Sequence, residues 1–356
     1  MTELIFHIGG GKTGSSSIQS TLASNSSILQ SKGIHYWGIM LEDAPYKKHP
    51  WQKRGGTQLY YKTEEGTAQL ADVITTSLLM AEKEGCKKAI WSNEWFLGAA
   101  YEFSRNISTV NLIKSLVDLG NKITVVAYIR EHVSWSISAF AQWGLKHKTY
   151  EGPLMSFLEY TKKRPPYFAG PLQIWKDAIG NGMNVYNFHQ CGNVVEHFLA
   201  EVCNLESENF KIKTMNKAPN NMEQFLRSVF NEIYSEGEQC LPSQFDRLFS
   251  HLVGQDPPDL ISWYNGLMPD PNSLEEIYKL ISDDVKAVNA ILTDSNQPSL
   301  TVPKANQDYG LTPEDIYKIA LMSTHIALQS IIKIESLERQ VVVLRERIRH
   351  LKAGNS

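Results

Sequence analysis

Short apolar runs alternate with amphipathic stretches through residues 4–188. Residues 4–8 are almost wholly apolar and predict a first strand. Residues 9–17 are rich in Gly and Ser and predict a turn, and residues 16–30 have the spacing of a helix. A short strand is expected at 34–37, a polar loop over 42–66, a helix over 67–84 and a buried strand at 89–92. A helix follows at 108–120. Residues 122–130, KITVVAYIR, are nearly all apolar and predict a central strand. Residues 133–145 fit a helix and 183–188 a later strand. Strands separated by helices predict a three-layer α/β fold, a parallel sheet with helices on both faces.

Beyond residue 219 the pattern changes. Residues 219–300 are mostly helical in period, without clear strands, and would form a lid, one wall of a binding site or a separate subdomain. A stretch rich in Pro, Asn and Ser breaks the chain at 295–310. Thr312, Pro313, Glu314 and Asp315 then supply a helix start: a capping residue, Pro in the first turn and acids beside the positive helix end. The helix is expected to run to about residue 351. Ile334, Leu337, Val341, Leu344, Ile348 and Leu351 repeat at alternating spacings of three and four, which is a coiled-coil seam. Such a helix joins two chains into a homo-oligomer or packs back on its own domain, and the pattern leaves both open. Two regions are therefore expected, a main domain over 1–305 and a C-terminal helix over 312–352.

Composition narrows the class. The chain has 356 residues, 42% hydrophobic and 21% charged, with a net charge of −3. That balance is globular and does not mark a bulk nucleic-acid binder. No apolar run approaches the roughly 20 residues of a spanning helix. The first residues, MTELIFHIGG, carry an early acid and lead straight into a strand, unlike a signal peptide. Cys86, Cys191, Cys203 and Cys240 form no CxxC pair, so free thiols in a reducing, cytoplasmic setting are expected. The one close His/Cys pair, His189 and Cys191, lacks the spacing of a zinc site.

The turn at residues 9–14, GGGKTG, admits three readings. Gly9, Gly11 and Gly14 formally satisfy the GxGxxG of a dinucleotide site. The second strand should then end in an acid for the ribose, yet it reads IHYWG, and Glu42 and Asp43 lie well beyond it. Gly11-Lys12-Thr13 could close a Walker A loop, but the first Gly of that motif would fall on Phe6. The third reading keeps the physics without either motif. A strand ends, the chain turns on glycines, and a helix starts near Ser15 or Ser16. Backbone N–H groups and the positive helix end then converge. Lys12 adds a charge, and Thr13, Ser15, Ser16 and Ser17 add hydroxyl donors, so the set suits an anion.

The stretch FHIGGGKTGSSSIQS resembles the 5′-phosphosulfate loop of sulfotransferases that use 3′-phosphoadenosine 5′-phosphosulfate (PAPS), and is most similar to the bacterial carbohydrate-type branch. A second stretch, VVAYIREHVSWSISAFAQW, resembles that family's 3′-phosphate strand and helix. Arg130 at the strand end and Ser138 on the next helix correspond to its phosphate clamp. Alone, Arg130 reads as a surface charge and Ser138 as a solvent-facing serine; together with the turn they are far more specific. QWGLKHKTYEGPLMSFLEY and LQIWKDAIGNGMNVYNF fit the family's middle section. KTMNKAPNNMEQFLR stands where it has an Asn-containing motif, although the usual N-x-S is absent. The likeness covers roughly residues 4–230.

The resemblance implies a P-loop-like three-layer fold and transfer of a sulfuryl group from PAPS, with PAP as product and no metal. Gly11, Lys12, Thr13, Gly14, Ser15, Ser16, Ser17, Arg130 and Ser138 would hold the donor. Lys12 would also stabilise charge on the leaving oxygen. The acceptor would be a hydroxyl or amine of a carbohydrate or glycoconjugate. Ser92-Asn93-Glu94 matches the family's S-x-E, which makes Glu94 the general base and His132 the second choice. His7, inside the first strand, reads as a packed core histidine. Lys47, Lys48, His49, Lys53 and Arg54 around Trp51, with Lys146 and Lys148, are candidates for touching an anionic or sugar acceptor; the bland alternative is solvated surface. Two rivals remain: a P-loop-like small-molecule kinase, although strand 122–130 ends in Arg rather than a metal-binding Asp, and a silent coiled-coil interaction protein that keeps the fold.

Overall fold

The first strand of the chain, β1 (Glu3–Gly9), lies at the centre of the sheet. The computed structural model describes residues 1–53, 63–99, 103–146, 148, 150, 152–215, 228, 260–301 and 309–353. By contacts the chain divides into two units, Met1–Ala218 with Pro269–Gln307, and Pro219–Met268 with Asp308–Ser356.

The first unit is α/β. β2 (Ile34–Tyr36), β3 (Lys88–Ser92), β4 (Ile123–Ile129) and β5 (Met183–Asn187) join β1 in a five-stranded sheet of order β2-β3-β1-β4-β5. Every ladder is parallel. Phe6 pairs with Trp91 on one side and Val125 on the other, and the β1–β4 register shifts between His7 and Gly9.

Helices cover both faces, which is why the central strands are apolar at successive positions. Leu4, Phe6 and Ile8 face α3 (Glu64–Lys83), α4 (Ile107–Asp118) and α7 (Ala169–Ile179). Ile5 faces the other way, toward α1 (Ser15–Ser24), α2 (Ser26–Ser31) and α8 (Val194–His197). The expected single helix over 16–30 is thus two. They break at Asn25, whose amide bonds the Thr21 and Lys211 carbonyls and so competes with the helical ladder. The helix expected at 133–145 also changes character. α5 (His132–Ala139) continues as a π-helical stretch over Phe140–Lys146. There the Phe140 ring lies where a side chain at position 144 would stand, and residue 144 is Gly.

Of the region whose role the sequence leaves open, residues 219–227 and 229–259 lie outside the described residues. α10 (Pro271–Asp294), which follows α6 (Phe157–Lys163) in the same unit and α9 (Leu260–Leu267) of the other, closes the core. Its Val288, Ile291 and Leu292 join the same apolar cluster as Phe6. Asp284 fastens it further, accepting the Phe168 and Ala169 amides at the start of α7 and meeting His132 at 2.8 Å.

In the second unit α11 (Pro313–Ala353) is one long helix. Thr312 and Asp315 bond reciprocally at its start, a capping box ahead of Pro313. No helix among the described residues is long and apolar enough to cross a membrane. Cys86, Cys191 and Cys203 are free thiols, and burial pushes the Cys203 thiol up to about 12.

Phe6 concentrates the aromatic packing of the core. Its ring stacks on Trp91 at 4.1 Å and meets Phe96 and Trp175 edge-on. Phe6→Ala is expected to lower unfolding free energy by about 3–5 kcal/mol, measured by denaturant titration. A loss under about 1 kcal/mol would show that the cluster collapses around the gap.

Candidate functional site

The carboxyl ends of β3, β1 and β4 lie side by side, and each releases one component of the site. From β1 comes the Gly-rich turn. Gly9 has φ 88°, and a side chain there would strike the backbone of Glu94 at 2.5 Å. The chain then enters α1 through Gly14, also left-handed at φ 81°. Lys12 takes a left-handed φ of 66°, an unfavourable conformation for a residue with a side chain. Three contacts hold it there. Arg130 Nη1 donates to the Lys12 carbonyl at 3.3 Å, Trp135 Nε1 donates to the Gly11 carbonyl at 2.8 Å, and the Lys12 ammonium donates to Gln142 Oε1.

The two sequence stretches that carry the resemblance are therefore neighbours in space. Arg130 follows β4, and its guanidinium also lies over the Phe188 ring at 5.7 Å. Glu131 next to it caps α5 by accepting the Val133 and Ser134 amides at 2.9 and 2.8 Å. This cap starts the helix directly behind Arg130 and sets the direction in which α5 leaves the sheet. Ser138 stands on the second turn of α5, half-buried. The π-helical stretch then brings Gln142 to Lys12 and Trp143 over Gly11. A widened turn of this kind re-aims side chains, which is why such turns recur at functional sites.

The hydroxyls of the turn divide into different tasks. Thr13 was expected to offer its hydroxyl to a ligand, but it is buried and its hydroxyl donates to the Gly10 carbonyl. Its donor closes the turn and is not offered outward. Ser17 Oγ accepts the Met215 amide at 3.0 Å. Lys213 N–H meets Thr21 Oγ1 at 2.9 Å and Lys211 N–H meets Asn25 Oδ1 at 3.0 Å. Alternate amides of the segment thus match every fourth side chain, from Asn25 at the end of α1 back to Ser17. The segment thereby runs along α1 toward the turn. Asn216 and the residues up to 227 lie outside the described residues. Ser15 and Ser16 sit in the first turn of α1.

β3 releases Ser92-Asn93-Glu94. Ser92 Oγ pairs with His7 Nδ1 at 2.8 Å inside the sheet. Asn93 donates to the Ile39 carbonyl at 3.0 Å and accepts the Trp95 amide at 3.2 Å, starting a short 3-10 turn over Glu94–Phe96. Phe96 then faces the core, Trp95 is 52% exposed, and Glu94 faces α1. Gln19 Nε2 donates to Glu94 Oε2 at 2.6 Å while resting 3.3 Å from the Ser92 carbonyl. The amide holds the carboxylate beside the turn.

Other expected residues take different places. His132 is fully buried, with Nε2 on Asp284 and the Phe168 ring edge-on. It ties α5 to α10 and faces no solvent, so it is not a base for a diffusing acceptor. Trp51 is no sugar platform: it is 7% exposed, belongs to the core cluster and donates to Gln69 Oε1 at 2.9 Å. Lys47 and Lys48 pair with Asp43 and Asp72, both at 3.7 Å. Lys148 lies over the Tyr150 ring, Lys53 is exposed, and Arg54 and the Lys146 side chain fall outside the described residues. Four contributors went unmarked in the sequence: Gln19, Trp135, Gln142 and Trp143. All four nevertheless lie within the two stretches that carry the resemblance.

Two cations, a helix start and a carboxylate thus meet at one sheet edge. Such a set can bind an anionic group and move one proton from a neighbour. His189 is held below the ordinary imidazole value by burial first and by the Arg130 charge second. Compared with protein-family models and with curated protein sequences, the chain matches none.

His7 makes a measurable prediction. Burial holds its imidazole down to about 3, against 6.5 ordinarily. Above pH 6.5 it is neutral in both states. Below that, the unfolded chain takes up a proton that the folded chain refuses, so stability falls by about 1.4 kcal/mol per pH unit until about pH 3. His7→Asn should flatten the slope of unfolding free energy between about pH 6 and 4 by close to one proton. An unchanged slope would mean that His7 protonates in the folded state.

Proposed function

We propose that this protein is a PAPS-dependent sulfotransferase with a P-loop-like nucleotide site, acting on a hydroxyl or amine of a carbohydrate or glycoconjugate. The observation that carries this reading is the Arg130–Lys12 contact. It joins a Gly-rich anion turn to an Arg at the end of the next strand, two features 118 residues apart. A kinase would be expected to carry an acid at that strand end for its metal, and here it is Arg130.

When bound, the phosphosulfate supplies a sulfuryl group whose transfer asks for alignment and charge stabilisation rather than a protein nucleophile. The backbone amides of the stretch from Thr13 toward Ser17 hold the 5′-phosphate, although the Ser17 N–H itself is bonded to the Gly14 carbonyl at 2.9 Å. Lys12, positioned by Gln142, stabilises negative charge on the bridging oxygen. Arg130 and Ser138 take the 3′-phosphate. Glu94, oriented by Gln19, removes the acceptor's proton. The exposed ring of Trp95, next to Glu94 in the chain, offers the flat apolar face on which a sugar ring stacks, which supports a carbohydrate acceptor.

Calorimetric titration with PAP is expected to show binding without added metal, while ATP with Mg²⁺ and NADH give none. Arg130→Ala should weaken PAP binding by about 2 kcal/mol, the cost of a lost charged hydrogen-bonding partner. Lys12→Ala and Glu94→Gln should abolish transfer to carbohydrate acceptors, with Glu94→Gln still binding PAP. Binding of ATP with Mg²⁺ in place of PAP would move the protein to the kinases. PAP binding without transfer to any acceptor would make it a silent binding protein, and full activity in Glu94→Gln would remove the assigned base.

A further inference from the structure

α11 carries an apolar stripe whose described side chains are exposed. Ile334, Leu337, Val341 and Leu344 are 54%, 51%, 45% and 55% exposed. Ile348 and Leu351 continue the same 3–4 spacing in sequence. A helix of 41 residues gains most of its stability from packing an amphipathic face, so an exposed stripe of this length calls for a cover.

The residue types along the stripe identify that cover. Placing Ile334 at heptad position a makes the a series Ile334, Val341 and Ile348, all β-branched. The d series is Leu337, Leu344 and Leu351, all Leu. In parallel coiled coils β-branched a with Leu at d favours two strands, whereas Ile at both, or Leu at a with Ile at d, favours three or four. The flanking positions agree at the first heptad. Lys333 at g and Glu338 at e are exposed and of opposite charge. In a parallel pair in register, Lys333 of one chain faces the partner's Glu338. Arg347 and the partner's Lys352 would be like-charged, so the apolar seam supplies the attraction and the Lys333–Glu338 pair helps set the register.

We infer that α11 pairs with α11 of a second copy of this chain, as a parallel two-stranded coiled coil in register over residues 334–351.

The test uses the full chain at micromolar concentration, with mass read by light scattering. The expected mass is twice the 40.2 kDa of one chain. Leu337→Glu and Leu344→Glu should each return the mass to one chain, and circular dichroism together with a thermal unfolding curve would show that the rest of the protein is intact. Val343→Glu, at an exposed position off the seam, should leave the dimer unchanged. Lys333→Glu and Glu338→Lys should each weaken the dimer, and the double exchange should restore it. Leu344→Cys should cross-link the dimer under mild oxidation where the native chain, with its own thiols, does not, because d faces d only in a parallel pair. A single-chain mass for the native protein, a trimer or tetramer, or a dimer indifferent to both Leu→Glu changes would overturn the inference. A dimer that Leu344→Cys fails to cross-link would overturn its orientation.

Discussion

The hydrogen-bonded ladders on either side of β1 hold it between β3 and β4, and parallel pairing makes all three strands end at the same edge. Three segments far apart in sequence therefore leave the sheet as neighbours. β1 leaves as the Gly-rich turn, β3 as Ser92-Asn93-Glu94, and β4 as Arg130 with the cap of α5. The close approach of Gly9 to the Glu94 backbone and the bond from Arg130 to the Lys12 carbonyl are direct results of that adjacency. Ligand sites of open α/β sheets lie at such carboxyl edges.

The turn is held by more than its glycines. Lys12 adopts a left-handed backbone that it would not choose alone, and its surroundings over-determine it. The hydroxyl of Thr13 closes the turn from within, Trp135 and Arg130 bind its carbonyls from the α5 side, and Gln142 holds the ammonium. The π-helical stretch is what lets Gln142 and Trp143 reach back, and it depends on Gly144 leaving room for the Phe140 ring. A turn made in this way is fixed by the fold on several sides, and donors fixed in advance pay no cost of reordering.

Polar groups buried around the site mostly hold the frame. His7 and Ser92 pair across β1 and β3 behind the turn. His132 and Asp284 clamp α10 to α5, and Asp284 also takes the amides at the start of α7. Imidazoles near such a turn invite a catalytic role, but these two sit in the fold without exposure, each bonded to a polar neighbour. Glu94 is the contrasting case: half-buried, oriented by one amide, and next to an exposed tryptophan.

Local chemistry was legible in the chain because it depends on neighbours in sequence. Strand and helix periods, the Gly-rich turn, the Arg at the end of KITVVAYIR and the capped start of α11 are all short-range patterns, and the parallel sheet follows from their alternation. Tertiary structure decided what each group does, because burial and partners come from residues far along the chain. Trp51 entered the core against α3, and His132 met an acid 152 positions away. Thr13 turned its donor inward, and the helix over 133–145 widened around Phe140. Gln19 and Gln142 became positioning groups only once folding set them against Glu94 and Lys12, since an amide side chain carries no signal until it has a partner.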